Sequence, residues 1–371
     1  MTVTPRVDPL THSTDSAGRP RLLLAASGTG GHLFPALAVA EALPEVAITW
    51  LGVPDRLETQ LVPQTYPLHT VRLRGLSRPL GLSSLGVGID LVRAVIQVRR
   101  LLQTQGIWGV FTTGGYIAAP AILAARSLGL PVLIHDSNAL PGKVTRWLGP
   151  WCNQVAVGFA RAAGRLPRSR VTWTGTPVRP DFLSPPALRE VTLPSQARMI
   201  LVTGGSQGAV AVNRLVRQCV PQWTAAGFWV VHQTGDNDPE VGTVVTPQYL
   251  EQPFFGEMAA LMARADVVIG RAGAGTLTEL AVLGKPAVLI PYPAAADDHQ
   301  TMNAQAFVAA DAALMLPQAG LTAVALQQTV LDLMQRPAEL AHMAAQAQTL
   351  AVRDSHLQLA QLCRTHLLGR P

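Results

Sequence analysis

Short apolar runs alternate along this chain with segments whose apolar residues recur at helical spacing. The run "RLLLAA" (21–26) is followed by the helical "PALAVAEAL" (35–43) and then by "VAITWLG" (46–52). Further runs are "IWGVFTT", "PVLIHDS", "NQVAVG" and "RVTWTG", with helical stretches before several of them. Near-continuous apolar runs separated by helices predict parallel strands covered on both faces. The pattern breaks at residues 176–196, "TPVRPDFLSPPALREVTLPSQ", which is proline-rich and aperiodic. It restarts with "RMILVTGGSQG", "FWVVHQTG", "ADVVIG" and "PAVLIPYP", and the Ala-, Gln- and Leu-rich stretch 321–368 reads as mostly helix.

The expected fold is α/β, with two Rossmann-like parallel-sheet domains facing one cleft. The domains are residues 21–178 and 197–350, joined by a linker at 179–196. Residues 1–20 are polar and read as a disordered tail, and residues 351–371 read as a helix packing back on the first domain. The opening segment lacks the apolar core of a signal peptide, and no apolar run reaches the roughly 18 residues of a membrane span.

Composition narrows the chemistry. Apolar residues make up 48% and charged residues 14%, which suits large buried cores. The net charge is +6, and Lys143 and Lys285 are the only lysines, so arginine supplies the remaining positive charge. Arginine grips phosphates in a fork. No dense basic run or aromatic RNA-binding signature occurs, so no nucleic-acid partner is expected. Cys152, Cys219 and Cys363 are far apart, which fits a reducing compartment and gives no metal spacing.

Four glycine turns follow apolar runs: Gly28, Gly30 and Gly31; Gly114 and Gly115; Gly204, Gly205 and Gly208; and Gly270, Gly273 and Gly275. Bare amides at a helix start favour a diphosphate. The first turn has Leu33 where a dinucleotide fingerprint wants glycine, and Asp55 comes late for the ribose acid, so NAD binding is not expected. His32 opens the helix after the first turn and is the candidate general base. His135 and Asp136 follow a strand, and Asp297, Asp298, His299 and Gln300 start a helix. The D-x-D at Asp236 and Asp238 reads as a polar loop, and no zinc, serine-hydrolase or P-loop motif occurs, so no metal or cofactor is expected.

Residues 71–102 carry Arg72, Arg74, Arg78, Arg93, Arg99 and Arg100 against one acid, Asp90. Leu76, Leu80, Leu82 and Leu85 in the glycine-rich part read as exposed and suited to an anionic membrane surface. Val92, Val95 and Ile96 read as the core-facing side of an amphipathic helix.

The segments "GTGGHLFPALAVAEAL", "TTGGYIAAP", "HDSNALPG", "GTPVR", "GGSQGA", "RAGAGTLTEL" and "DDHQTMNA" occur in this order. In this the chain resembles the MurG family of bacterial N-acetylglucosaminyltransferases. The resemblance implies a GT-B fold and an inverting transfer from UDP-N-acetylglucosamine to the 4-hydroxyl of undecaprenyl-linked lipid I, giving lipid II on the cytoplasmic face of the plasma membrane. It implies Thr29, Gly30, Gly31, Arg179, Gly205, Ser206, Gln207, Phe255, Arg271, Gly275, Thr276, Glu279 and Gln300 as donor contacts. Glu279 would take the ribose, Phe255 the uracil and Gln300 the sugar hydroxyls. Acceptor contacts would be Gly114, Gly115, Tyr116, His135, Asp136 and Asn138. Two departures stand out: Asp136 is one methylene shorter than the family's glutamate, and Ala272 replaces a common serine. An epimerase of the same sugar nucleotide, another glycolipid transferase and a non-catalytic nucleotide-sugar scaffold are the competing readings.

Overall fold

The computed structural model describes residues 14–73, 83–205 and 208–369. The chain forms two compact units, Met1–Pro177 with Asp354–Pro371, and Val178–Arg353.

The first unit runs β1 (Arg21–Ala25), α1 (Gly30–Glu41), β2 (Ala47–Gly52), α2 (Glu58–Leu61), β3 (Leu68–Thr70), α3 (Ser83–Thr104), β4 (Gly109–Thr112), α4 (Ala118–Ser127), β5 (Val132–Asp136), α5 (Lys143–Leu148), β6 (Gln154–Val157) and β7 (Val171–Trp173). Its parallel sheet has the order β3-β2-β1-β4-β5-β6-β7. In the inner strands β1, β4, β5 and β6 positions alternate between two buried faces, which explains the continuous apolar runs, whereas the edge strands β3 and β7 are only partly buried. In β1, Leu23 and Ala25 face a core with Ala94, Val98 and Leu102 of α3 and Ile122 of α4. Leu22 and Leu24 face the opposite core with Val39 and Ala40 of α1. That second core is completed by Leu359, Ala360 and Cys363 of α13 (Ser355–Cys363), so the last helix belongs to the first unit.

The second unit runs α6 (Pro180–Leu183), β8 (Met199–Thr203), α7 (Val210–Ala225), β9 (Trp229–Gln233), β10 (Tyr249–Gln252), α8 (Met258–Arg264), β11 (Val267–Gly270), α9 (Ala274–Leu283), β12 (Ala287–Leu289), α10 (His299–Val308), β13 (Ala313–Met315), α11 (Ala323–Met334) and α12 (Pro337–Thr349). Its sheet order is β10-β9-β8-β11-β12-β13, again parallel. Both units are Rossmann-like, and together they give a GT-B type α/β chain. In each, the strand order reverses beside the first strand, between β1 and β4 and between β8 and β11. Ligands of open parallel sheets bind at the carboxyl ends of strands at such reversals. The four glycine turns are the loops after these four strands.

Three expectations need correction. The stretch 179–196 is packed on the second unit, with Phe182 and Val191 buried. Its prolines break periodicity without preventing burial. Residues 1–13 of the expected tail lie outside the described residues, but 14–20 form a turn. Asp15 accepts from the backbone N–H of Ala17 and Arg19 (3.0 and 2.8 Å), and Thr14 bridges Pro20. On α3 the buried positions are Ala94, Val98 and Leu102, while Val92 and Ile96 stay exposed. The helix is rolled so that Ala94, Val98 and Leu102, with Val95 as expected, meet the core, and Ile89, Val92 and Ile96 form an outward stripe. Leu76, Leu80 and Leu82 lie outside the described residues. Among the described residues no helix is long and apolar enough to cross a membrane.

Candidate active-site groups

In the first unit the loop after β1 turns at Gly28 (φ +101°) into the extended N-cap Thr29. Gly30, Gly31 and His32 form the first turn of α1, and the His32 and Leu33 N–H groups both donate to Thr29 O. The His32 ring crosses to the neighbouring loop, where Nδ1 lies 2.7 Å from Thr113 O. A carbonyl oxygen only accepts, so Nδ1 carries a proton, and in the neutral ring Nε2 is then the nitrogen with the lone pair. Nε2 sits against the second glycine turn. A Cβ on Gly115 (φ +71°) would lie 3.5 Å from it. Thus β1 and β4, paired side by side, bring His32, Gly114 and Gly115 together, and exposed Tyr116 follows directly.

The expected acceptor residues His135 and Asp136 both lie inside the fold. His135 is fully buried in β5, with Nε2 2.9 Å from Gly175 O, and burial pushes its pKa down. Its Nδ1 is buried with no hydrogen-bond partner among the described residues. Asp136 is also buried. Its carboxylate accepts from the N–H of Asn138 (3.1 Å) and Gly142 (2.8 Å) and from Thr145 Oγ1 (2.6 Å). The shorter acid therefore shapes the β5–α5 loop, on which half-buried Asn138 sits.

In the second unit the β8–α7 turn has Gly205 and Gly208 at positive φ. A Cβ on Gly208 would collide with Thr234 O of the next loop, so only glycine fits. Ser206 and Gln207 lie outside the described residues. Gly275 and Thr276 are in the first turn of α9, and Glu279 follows one turn on. Arg179 Nη2 lies 4.0 Å from Glu279 Oε1. Arg179 also lies over the Phe182 ring, 4.9 Å from its centroid. Burial pushes Glu279 up to about 7, against the pull of the Arg179 guanidinium and with the Asp181 carboxylate adding to the rise.

Other donor assignments are redefined by packing. The Phe255 ring is 1% exposed, so it cannot stack on a base, whereas its neighbour Phe254 is 61% exposed. Arg271 donates to Ile290 O (3.0 Å), Pro291 O (3.2 Å) and Gln318 Oε1 (2.7 Å), bracing the loop after β12. Gln300 Oε1 accepts from the Tyr292 N–H (3.0 Å). Ala272 is buried, and its carbonyl accepts from Asn303 Nδ2 (3.1 Å), so a serine hydroxyl would have no open side there. Asp238 of the D-x-D is held by Arg217 (3.0 Å) and Asn213 (2.5 Å).

Sequence reasoning passed over Glu58. It follows β2, where a dinucleotide fold places its ribose acid, yet it is buried and bonded to the first glycine loop. Its sequence signal was a lone glutamate three residues beyond Asp55. Asn213 and Arg217, whose spacing puts them on one face of α7, were also missed.

The glycosyltransferase family 28 N-terminal domain matches residues 22–157 and its C-terminal domain matches residues 199–359. A UDP-N-acetylglucosamine–N-acetylmuramyl-(pentapeptide) pyrophosphoryl-undecaprenol N-acetylglucosamine transferase from Trichormus variabilis is 58% identical over 346 residues, covering 93% of this chain and 97% of that protein. The protein of the same name from Nostoc punctiforme is 57% identical over 349 residues, with the same coverage. The crystal structure of MurG from Acinetobacter baumannii superposes with a TM-score of 0.76 at 30% identity, covering 93% of this chain and 99% of that one. Two matched domains over most of the length, on the two-unit fold described above, place the chain: it belongs to glycosyltransferase family 28.

Proposed function

We propose that this chain is an inverting hexosyltransferase. It moves N-acetylglucosamine from UDP-N-acetylglucosamine to the 4-hydroxyl of undecaprenyl-diphospho-N-acetylmuramoyl-pentapeptide, giving lipid II for peptidoglycan. The observation that carries this is near full-length identity above one half to transferases of that name.

The first unit supplies the base. His32 Nε2 takes the proton of the acceptor hydroxyl as its oxygen attacks the anomeric carbon. The bond from that carbon to the diphosphate oxygen breaks, and UDP leaves with the electron pair. The second unit supplies the donor groups. Main-chain N–H groups at the starts of α7 and α9, with Arg179, relieve charge on departing UDP. Glu279 takes the ribose hydroxyls, and Phe254 is the ring available to a base. The reading routes no step through a metal ion. Membrane contact belongs to the same reading: Ile89, Val92 and Ile96 face outward on α3, which also carries exposed Arg93 and Arg100. Such a surface suits peripheral attachment to the anionic inner face of the plasma membrane.

The deciding assay uses purified protein, labelled UDP-N-acetylglucosamine, a short-chain lipid I analogue and excess EDTA. A disaccharide–lipid product supports the reading. Sugar-nucleotide isomerisation without acceptor, or binding without turnover, overturns it. Loss of turnover in EDTA alone would remove the metal-free route.

Glu279 gives a pH signature. A carboxyl raised to about 7 keeps its proton in the fold over a range where the unfolded chain has lost it. Its contribution to stability is full below the unfolded value and is lost as pH rises through about 7. Glu279→Gln should therefore stabilise the fold at pH 8, by about 1–3 kcal/mol read as a higher Tm, and do little at pH 5. UDP affinity should move oppositely: it rises from pH 6 to 8 in the wild type as the carboxylate forms, and is weak and flat in Glu279→Gln. Calorimetric titrations across that range check this, and a variant that binds UDP as tightly as wild type at pH 8 removes Glu279 from the ribose.

A further inference from the structure

The loop that delivers His32 is held from behind by a buried acid. Glu58 has no solvent exposure. Its Oε1 accepts from Ser27 Oγ (2.5 Å) and the Val53 N–H (2.7 Å), and its Oε2 accepts from the Gly28 N–H (3.2 Å). One carboxylate thus ties the loop after β2 to the loop after β1. The end of β2 is kept bare for it: a Cβ on Gly52 would lie 2.7 Å from Glu58 Cγ and 2.9 Å from Oε1.

We propose that Glu58 is a positioning residue. It clamps Ser27 and Gly28, and so fixes the turn at Gly28, the N-cap Thr29 and the first turn of α1 that aims His32 at Gly115. This rests on the assignment of His32 as the base. A buried carboxylate is costly where shape alone is required. Here its acceptor-only character is what the site uses, because three donors converge on two oxygens. Glutamine has nearly the same shape but one acceptor oxygen. With that oxygen facing Ser27 and Val53, its NH2 meets the Gly28 N–H, donor against donor. Glu58→Gln therefore releases the one bond nearest α1 and keeps the other two.

The test is steady-state kinetics on full-length Glu58→Gln, His32→Ala and the double variant, with UDP-N-acetylglucosamine and a short-chain lipid I analogue. UDP titration and thermal melting are run alongside. Glu58→Gln should lower kcat about 10–100-fold, with KM for the donor and UDP affinity within about twofold of wild type. The double variant should be no slower than His32→Ala, since a clamp that acts through His32 has nothing left to position. A kcat within about twofold of wild type overturns the proposal, as does parallel loss of UDP binding or a double variant about tenfold slower than His32→Ala. If Glu58→Gln shows no cooperative melt, Ser27→Ala decides. It removes one donor and should cost several-fold in kcat on the wild-type background and nothing on His32→Ala; unchanged turnover overturns the clamp. Normal turnover in His32→Ala strikes the base assignment itself, whereas collapse of His32→Ala with a silent Glu58→Gln strikes only the clamp.

Discussion

His32→Ala should lower kcat by about 10²–10⁴-fold, the range general base catalysis supplies, and leave UDP affinity unchanged. The expectation follows from tautomer and placement. Thr113 O, 2.7 Å from Nδ1, selects the tautomer whose Nε2 lone pair faces the glycine turn. A neutral ring held this way can take a proton without first losing one. Arg179, Glu279 and the starts of α7 and α9, assigned to UDP, belong to the other unit, so removing the ring leaves those groups intact. His32→Asn is an informative companion, because its amide can keep the Thr113 contact yet accepts a proton poorly. Equal collapse in both variants with unchanged UDP titrations supports proton transfer as the role. Turnover in His32→Asn near wild type would leave the ring a positioning part only.

The largest stability effect is expected at Arg217. Its side chain is 5% exposed and its Nη2 lies 3.0 Å from Asp238 and 2.9 Å from Glu251, which are themselves almost fully buried. Asn213 Nδ2 donates to Asp238 and to Thr234 O, while His232 lies between Asn213 Oδ1 (3.0 Å) and the Tyr249 hydroxyl (2.8 Å). Burial and then the Arg217 charge push His232 down to about 3, so the ring is neutral and the guanidinium carries the local positive charge. Arg217→Met would strand two carboxylates in the interior, at a cost of about 3–5 kcal/mol. Burial alone would raise Asp238, but hydrogen bonds from Glu240 N–H, Arg217 and Asn213 outweigh it and hold the acid below the usual carboxylate range. Its contribution is therefore present above the unfolded value and lost as pH falls through the folded one. Urea melts at neutral pH should show the loss, and adding Asp238→Asn to Arg217→Met should restore part of it. A variant melting within about 1 kcal/mol of wild type would mean that water solvates the cluster.

The two glycine loops at each strand reversal were legible because their signals are local: an apolar run, glycines and a helix start. His32 was legible for the same reason. The burial of the Phe255 ring was not legible because residues 254 and 255 are adjacent aromatics, and only packing decides which ring points inward. The burial of His135 and Asp136 was not legible, because a strand end looks alike from sequence whether its side chains face outward or their own loop. Val92 and Ile96 were assigned to the core because both faces of α3 carry apolar residues, and the roll of the helix is set by α4 and the sheet.

What the amino-acid order determined by itself was the parallel α/β rhythm, the positions of the four turns and the histidine that opens α1, since periodicity and backbone freedom are short-range properties. What only the tertiary structure decided was which polar groups are spent inside the fold. Glu58, Asp136, Arg217 and Arg271 are committed by partners between two and 47 residues away. A hydrogen bond depends on distance through space, and the sheet order that sets those distances is nowhere written in a local stretch of chain.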